Sequence, residues 1–350
     1  MSLFWNAVDQ LIDRLGPDES CEHGLGPLAA RRLRKLGKPL PERLAREERA
    51  GMSSNLVGPS LLGRVRDAYD GQLVLLKGTE LSRLYPDRAR RFGDLDLLPD
   101  DAERAQAALL AAGFRLQDRD WPPEGYDEIK KPHYHLHPLE WPGLALRLEL
   151  HKQVKWPEGL RPPPNDEIFA AAVPASVGIA GLMTPDPLQH AVILASHAWG
   201  EVPMRRLRQL VDVMAFVGEE EREPYLRVAK AWGFARGWQT TLAVSDWLFA
   251  GAQKPLAART WARYLEELRE PTVVEMHLQE WAAPFSMVPP PRAIRLAASA
   301  VARDVRPEIG QTWRDKLTQM LRALRHPFSP KSEHDRRSKR GTWRSDKNRH

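Results

Sequence analysis

The stretch Gly93-Asp-Leu-Asp-Leu-Leu98 decides how the rest of this chain is interpreted. Acidic and apolar residues alternate in it, and a period of two is typical of a β-strand. In an extended strand, Asp94 and Asp96 project from one face while Leu95 and Leu97 point to the other. The sequence therefore predicts a strand that carries two carboxylates on the same side.

A second acidic strand is predicted at Leu144-Ala-Leu-Arg-Leu-Glu-Leu-His151. Its four leucines form an apolar face, so Arg147, Glu149 and His151 share the polar face. If the two strands are neighbours, Glu149 converges with the two aspartates. Three carboxylates at close range repel one another without a cation, and hard oxygen ligands suit Mg²⁺ that is held partly by substrate phosphates.

A phosphate-binding turn is predicted at the end of Leu73-Val-Leu-Leu-Lys-Gly-Thr79. Gly78 would let a phosphate approach the backbone closely, and Thr79 would offer a hydroxyl beside the free amides of a helix N-terminus. The spacing is not that of a Walker A loop. Lys77 either points into the site or packs its stem while its ammonium reaches water.

Two groups of arginines are candidates for phosphate contact. Arg90 and Arg91 directly precede the first acidic strand, so the chain brings them beside the carboxylates. The run Arg205-Arg206-Leu-Arg208, followed by Asp212, has two interpretations. It could clamp a triphosphate, since guanidinium forks match phosphate oxygens. A salt-bridged helix surface is the favoured alternative.

Several histidines need an interpretation. His133, His135 and His137 alternate along one predicted strand and could bind Zn²⁺, but ligands spaced along a line suit a tetrahedral site poorly, which favours a polar strand face near a nucleotide pocket. This strand and the one ending at His151 predict an antiparallel hairpin with its turn at Trp141-Pro-Gly143. His151 itself either contacts substrate or caps its strand.

Downstream, the chain reads as helices from Thr184 to about Arg325, with breaks near Gly218, Pro255 and the prolines 289–291. Within this part His190 and His197 lie seven residues apart on one helix face among apolar neighbours. They are predicted to be core histidines satisfied by hydrogen bonds. Six of the twelve tryptophans fall between Trp199 and Trp281, and they are predicted to pack in the core.

The order of these motifs resembles the uncharacterised nucleotidyltransferase family, which belongs to the DNA polymerase beta-like superfamily. The resemblance covers roughly residues 70–215 and is most specific over 73–98. It is carried by Leu-Leu-Lys-Gly-Thr (75–79), Leu-Tyr-Pro-Asp (84–87), Arg-Arg-Phe-Gly-Asp-Leu-Asp-Leu-Leu (90–98), Ala-Gly-Phe (112–114) and Leu-Glu-Leu-His (148–151).

The resemblance implies an α+β fold, with a small mixed β-sheet core and helices followed by a mainly helical C-terminal domain. In such a core a Gly-Ser element binds the triphosphate, and an Asp-x-Asp pair with a third acidic residue holds two Mg²⁺ ions. Asp94, Asp96 and Glu149 match the catalytic and metal-binding positions, with Glu in place of Asp at the third. Gly78 and Thr79 match the Gly-Ser element, with Thr in place of Ser. Lys77, Arg90 and Arg91 complete the predicted nucleotide-binding set.

The implied function is metal-dependent transfer of a nucleoside monophosphate from a nucleoside triphosphate, with ATP as the expected donor, to an unidentified hydroxyl-bearing acceptor. The implied cofactor is Mg²⁺ or Mn²⁺, and two ions about 3.5–4 Å apart would activate the acceptor and stabilise the pyrophosphate. By analogy, Glu149 could take the acceptor's proton. One alternative is a catalytically inactive nucleotide-binding regulatory module. A second is a nucleic-acid-binding protein that uses a basic tail.

Composition limits these alternatives. The net charge of the 350-residue chain is +6, but eight Lys/Arg against three Asp/Glu place +5 of it in Lys331–His350. The body is therefore nearly neutral, which argues against nucleic acid as a partner, and the tail is predicted to be disordered. The single cysteine, Cys21, excludes an intrachain disulfide. No apolar run approaches the ~18 residues of a membrane span, so a cytoplasmic protein without membrane contact is predicted.

The sequence predicts five regions. They are an N-terminal helical arm (1–62), a nucleotidyltransferase core (63–156), a proline-rich linker or loop (157–183), a helical domain (184–328) and a basic disordered tail (329–350).

Overall fold

The computed structural model describes residues 3–118, 134–200, 203–218, 221–267, 269, 272–307, 311–325 and 328. Within these residues the chain has an α+β fold with one mixed seven-stranded sheet and sixteen α-helices. The fold class predicted from the sequence is confirmed. His133 and the basic tail lie outside the described residues, so the predictions made for them stay predictions.

Four helices precede the first strand. The fourth is long and passes the predicted boundary at residue 62, and its Leu61, Leu62 and Val65 are buried against the sheet. The division of the chain into an arm and a core therefore stays a prediction. The four helices are α1 (Leu3–Arg14), α2 (Pro17–Glu22), α3 (Gly26–Lys35) and α4 (Glu42–Ala68).

The sheet has the order β3-β4-β5-β2-β1-β7-β6. Its centre is formed by β2, which pairs parallel with β5 and antiparallel with β1. The β7 strand runs parallel to β1 and adds the β6–β7 hairpin at one edge, whereas β3 and β4 extend the other edge. The strands are β1 (Leu73–Leu75), β2 (Asp94–Pro99), β3 (Arg115–Leu116), β4 (Leu139–Glu140), β5 (Arg147–Leu150), β6 (Val173–Pro174) and β7 (Met183–Thr184).

Short helices connect the strands. The helix after β2 has a cap at each end: the Asp101 carboxylate accepts a hydrogen bond from the Arg104 amide at 2.9 Å, and Gly113, at φ +102°, follows its last turn. The segment predicted as a linker, 157–183, also contains a helix and strand β6. These elements are α5 (Thr79–Ser82), a 3₁₀ turn (Pro86–Arg88), α6 (Ala102–Ala111) and α7 (Asn165–Ala171).

The remainder of the described chain is helical. Helices end or begin at Gly218, Pro255 and Pro289, as the sequence predicted. Among the described helices, none combines the length and the apolar character needed to cross a membrane. These helices are α8 (Pro187–Trp199), α9 (Leu207–Val217), α10 (Glu223–Ala231), α11 (Ala235–Ala250), α12 (Leu256–Thr260), α13 (Arg263–Glu266), α14 (Val273–Met287), α15 (Pro290–Val305) and α16 (Trp313–Arg325).

The two faces of the sheet pack against different helices. Leu73 and Leu75 of β1 point into an apolar cluster with α4 and α6. Val74 and Leu76 point into the larger cluster, which contains α1, α3, α8, α9 and α11. Burial of each such side chain contributes about 1.5–3 kcal/mol. Because side chains alternate along β2, the residues opposite its buried Leu95 face the larger helical group.

Candidate active site

The register of two central strands builds the candidate site. In the parallel pair of β2 and β5, Asp94 lies opposite Arg147 and Asp96 lies opposite Glu149. Residues in register on neighbouring strands project from the same face, so the two polar faces coincide. The leucines between them are buried on the other face and hold this register, since a slip of one residue would expose them.

The closest group of possible ligands combines two carboxylates and one imidazole. One donor atom from each of Asp96, Glu149 and His151 lies within 4.8 Å of the others. The Nε2 atom of His151 is 3.0 Å from Oδ1 of Asp96, and the Nζ atom of Lys77 is 3.6 Å from Oδ2 of the same carboxylate. Lys77 therefore points into the site, which was one of its two predicted orientations.

Asp94 does not belong to this close group. Its Oδ2 atom lies 3.4 Å from Nη2 of Arg147, the residue opposite it on β5. The sequence predicted three converging carboxylates. The structure brings Asp96 and Glu149 together with His151, and it places Asp94 beside them at the wall of the same cavity.

Burial and mutual repulsion shift the protonation of the three acids. Burial, together with the charges of Asp96 and Asp94, raises the pKa of Glu149 to about 7. Partial burial and Asp96 also raise the pKa of Asp94. Burial acts in the same direction on Asp96, but Lys77 and His151 outweigh it and hold the pKa of Asp96 below its usual value. The cluster thus has one firmly ionised carboxylate and two that resist ionisation. A bound cation would lower the electrostatic cost of ionising those two.

Aromatic rings cover the cluster on one side. The ring of Tyr134 stacks on His151 at 5.6 Å, and Nζ of Lys155 lies 4.9 Å from the centre of the Tyr134 ring. His135 forms an antiparallel bridge with His151, and its Nε2 atom is 3.8 Å from Oε2 of Glu149. His137 lies elsewhere, with Nε2 3.0 Å from the Gln117 carbonyl. The antiparallel pairing with β5 is therefore present, but its strand is β4 and not the predicted histidine run, of which His135 forms only an isolated bridge. Of the two described histidines, His135 reaches the carboxylates and His137 does not.

The turn after β1 requires a glycine. Gly78 has a φ of +86°, and a Cβ atom at this position would lie 2.5 Å from Cδ2 of Leu95. Lys77 and Gly78 line the cavity, whereas Thr79 does not. The Thr79 hydroxyl is buried and has no hydrogen-bond partner among the described residues. The helix that begins here, α5, is only one turn long.

A buried glutamate fixes this turn to the edge of the sheet. Glu80 is 1% exposed, and its Oε1 atom accepts hydrogen bonds from the amide and the hydroxyl of Ser176 at 2.6 and 2.9 Å. Its Oε2 atom accepts one from Nε of Arg83 at 2.9 Å. The backbone of the turn is therefore held by contacts that do not depend on a ligand.

The arginines before β2 are paired with acids from two helices. Arg90 is buried and binds Asp212 of α9 through two hydrogen bonds, at 2.8 and 3.0 Å. Tyr85 donates to the same carboxylate at 2.6 Å. Arg91 pairs with Glu47 of α4 at 2.5 Å. Both arginines line the cavity, and Nη1 of Arg90 has no hydrogen-bond partner within the described chain.

The arginine run at the start of α9 lies partly at the cavity wall. Arg206 and Arg208 line the cavity, while Arg205 is exposed outside it. Arg208 donates to the Arg91 carbonyl at 3.3 Å. Asp212 pairs with Arg90 of the core, so this carboxylate takes no part in the salt-bridged helix surface that was the favoured interpretation, which stays a prediction for the arginines.

The two histidines of α8 have different environments. His190 is buried with Nε2 2.6 Å from the Leu76 carbonyl, as predicted for a core histidine. His197 lines the cavity, so the same prediction was wrong for it. Burial, with Lys77 and Lys155, holds the pKa of His197 well below its usual value. This imidazole is therefore neutral at physiological pH.

A polar cavity of about 640 Å³ joins these groups, and this volume is in the range of small-molecule sites. The sheet forms one wall, α8 and α9 form another, and residues around α2 and α4 close the end. No sequence pattern marked Tyr134 or Lys155, since their position depends on tertiary packing alone. Basic residues at the wall include Lys77, Arg90, Arg91, Arg147, Lys155 and Arg208.

The acidic strand pair, the glycine turn and the basic cavity wall have the chemistry that suits a phosphorylated ligand beside a cation. A family model described as an uncharacterised nucleotidyltransferase matches residues 20–250, about two thirds of the chain. The chain belongs to this family. The match begins within α2 and ends at the last residue of α11. No curated protein and no solved structure gives a significant match.

Proposed function

We propose that the chain is a metal-dependent nucleotidyltransferase that moves a nucleoside monophosphate from a nucleoside triphosphate to a hydroxyl-bearing acceptor. The observation that supports this most is the register of β2 and β5, which sets Asp96 beside Glu149 in a cavity shared with Lys77 and Gly78. ATP is the first donor to test. The acceptor is a small molecule, a peptide or a protein.

Asp94, Asp96 and Glu149 are the proposed catalytic and metal-binding residues. Their fit to divalent cations is supported by the raised pKa values of Glu149 and Asp94, because uncompensated carboxylates crowd the site. Mg²⁺ or Mn²⁺ bound there would neutralise phosphate charge and acidify the acceptor hydroxyl. Lys77 neutralises one oxygen of Asp96 and leaves the other for a cation.

Lys77, Gly78, Arg90 and Arg91 are proposed to hold the triphosphate. Gly78 lines the cavity, and its φ of +86° together with the contact that an added Cβ would make with the core residue Leu95 requires a glycine, so the turn keeps its backbone at the cavity wall. Arg90 uses two of its nitrogens on Asp212, so its remaining Nη1 supplies the donor for a phosphate. Thr79 was predicted to act through its hydroxyl. We assign its contribution to the backbone of the turn instead, because that hydroxyl does not reach the cavity.

Glu149 is proposed to accept the proton of the acceptor hydroxyl. The Glu149 carboxylate lines the cavity beside Asp96, so it can reach an acceptor hydroxyl held next to the cation. The donor and the acceptor would lie between the sheet and helices α8 and α9, because the cavity is lined from both sides. Much of the catalysis would come from this positioning.

Label transfer tests this proposal even while the acceptor is unidentified. The protein is incubated with a small-molecule extract and ATP labelled at either the α- or the γ-phosphate, with Mg²⁺ or Mn²⁺. Nucleotidyl transfer puts the α-label on a product and releases the γ-label as pyrophosphate. A product that carries only the γ-label would show phosphoryl transfer and contradict the proposal. Glu149→Gln is the matched inactive control.

A further inference from the structure

We propose that Asp96, Glu149 and His151 form a mixed oxygen–nitrogen site that binds a first-row transition cation such as Mn²⁺ in preference to Mg²⁺, with His151 as a direct ligand. The inference rests on the proposed function and deepens it by naming the class of metal. It goes beyond the carboxylate set that the sequence predicts, because it adds the nitrogen of His151 as a ligand of this cation.

The spacing of the donor atoms fits one cation. Ligands at adjacent corners of an octahedron with bonds of about 2.1 Å lie about 3.0 Å apart, and those at opposite corners about 4.2 Å. The Nε2 atom of His151 is 3.0 Å from Oδ1 of Asp96. One donor atom from each of Asp96, Glu149 and His151 lies within 4.8 Å of the other two. A single ion therefore reaches all three groups with small side-chain shifts.

The fold does not explain why a histidine occupies position 151. Its side chain is 3% exposed, and its Nδ1 atom is buried without a hydrogen-bond partner among the described residues. Buried polar atoms are normally paired, and an exception calls for a functional reason. The ring makes a polar contact with Asp96, and it also packs against the rings of Tyr134 and His135.

The Asp94 carboxylate, which an all-oxygen site would use as its third ligand, contacts an arginine. Asp94 is outside the close group and lies 3.4 Å from Nη2 of Arg147. Mg²⁺ favours oxygen ligands, whereas transition cations accept imidazole nitrogen and bind mixed sites more tightly. Replacement of an oxygen by the His151 nitrogen therefore shifts the preference away from Mg²⁺.

Metal titration of the nucleotide-free protein tests this inference. Mn²⁺ binding is followed by electron paramagnetic resonance at pH 8, Mg²⁺ affinity is obtained by competition, and pulsed spectra of bound Mn²⁺ report nitrogen coupling. The wild type is expected to bind Mn²⁺ at least about tenfold more tightly than Mg²⁺ and to show imidazole coupling. His151→Asn is expected to lose the coupling and most of the preference. His137→Asn, on the same hairpin but away from the carboxylates, is expected to behave as the wild type.

Other outcomes separate the two proposals. If the metal preference and the spectra are the same in His151→Asn, His151 only positions Asp96 and the inference is overturned, while metal-dependent nucleotide binding would leave the proposed function standing. The absence of any metal binding, with or without triphosphate, would overturn both. His151→Gln is measured in parallel, so that a folding defect of one variant, checked by circular dichroism, does not decide the result.

Discussion

Glu149 carries a destabilising charge in the metal-free protein. Its pKa rises from an ordinary 4.5 to about 7 because burial and two neighbouring carboxylates oppose ionisation. The unfolded chain therefore releases this proton more easily, so the penalty is absent below about pH 4.5 and complete above about pH 7. We expect Glu149→Gln to raise the free energy of unfolding at pH 8 by about 1–3 kcal/mol. Denaturant unfolding in EDTA at pH 8 and pH 4.5 measures it, and an equal gain at both values would contradict the assignment.

Neutralisation of Asp96 should change the free energy of unfolding in the opposite direction to neutralisation of Glu149. Although burial opposes its charge, Lys77 and His151 hold its pKa below the usual 3.8, so its ionised form stabilises the fold at all pH values above that range. We expect Asp96→Asn to lower the free energy of unfolding at pH 8 by about 1–3 kcal/mol, the value of a hydrogen bond to a charged group. The same EDTA series compares both variants. A gain in stability in Asp96→Asn would show that repulsion between the carboxylates outweighs the contacts of Asp96 with Lys77 and His151.

Individual site residues were predictable where strand parity decides their direction. Asp96, Glu149 and His151 share one face because of the alternating leucines beside them, and the sequence alone shows this alternation. The pairing of Asp94 with Arg147 was not predictable, because it depends on the register between two strands. His197 was misassigned since its apolar neighbours along the helix conceal the cavity on its other side.

At the scale of elements, the turn between β1 and α5 depends on Gly78. Its φ lies in the left-handed region, and its surroundings leave no room for a Cβ atom. Gly178, in the β6–β7 loop, is the matched control, since its φ of +77° is similar and no atom lies within 4 Å of its added Cβ. We expect Gly78→Ala to lose the stabilisation by triphosphate and metal, which is ~2.7 kcal/mol at a hundredfold excess over Kd. Gly178→Ala should keep it despite the same backbone strain. Thermal melting with and without ligand measures the difference, and a full ligand-induced shift in Gly78→Ala would contradict the role of this turn.

The elements that the sequence missed are the shortest ones. β6 and β7 have two residues each, which is too few to show a period of two. β7 is defined by its pairing with β1, a contact between residues more than a hundred positions apart. The longer helices were predictable because capping residues and prolines mark their ends, as Asp101 does for α6.

At the scale of the whole molecule, a buried ion pair joins the sheet to the helices. Arg90 precedes β2 and Asp212 belongs to α9, and both are buried. We expect Asp212→Asn to lower the free energy of unfolding by about 3–5 kcal/mol, because it leaves a buried guanidinium uncompensated. The double variant Arg90→Met with Asp212→Leu should recover much of this loss. Glu48→Gln, which breaks the more exposed pair with Arg34, should cost less than about 1 kcal/mol.

Urea unfolding of these variants gives the comparison. A loss in Asp212→Asn no larger than that in Glu48→Gln would show that the pair does not hold the two parts together.

The placement of α9 over the sheet could not be predicted from the sequence, since no local pattern encodes which helix covers which face. The cavity itself is a product of this placement.

The central claim is that the cavity binds a nucleoside triphosphate together with a divalent cation. Calorimetric titration with α,β-methylene ATP, which cannot be cleaved at the reacting bond, tests it most directly, with the analogues of other bases as alternatives. We expect binding in Mn²⁺ or Mg²⁺, none in EDTA because the phosphates would meet uncompensated carboxylates, and none in Asp96→Asn even with metal. Failure of every triphosphate analogue to bind with either metal would contradict the account, and so would binding in EDTA, or in Asp96→Asn with metal, that is as tight as in the wild type with metal.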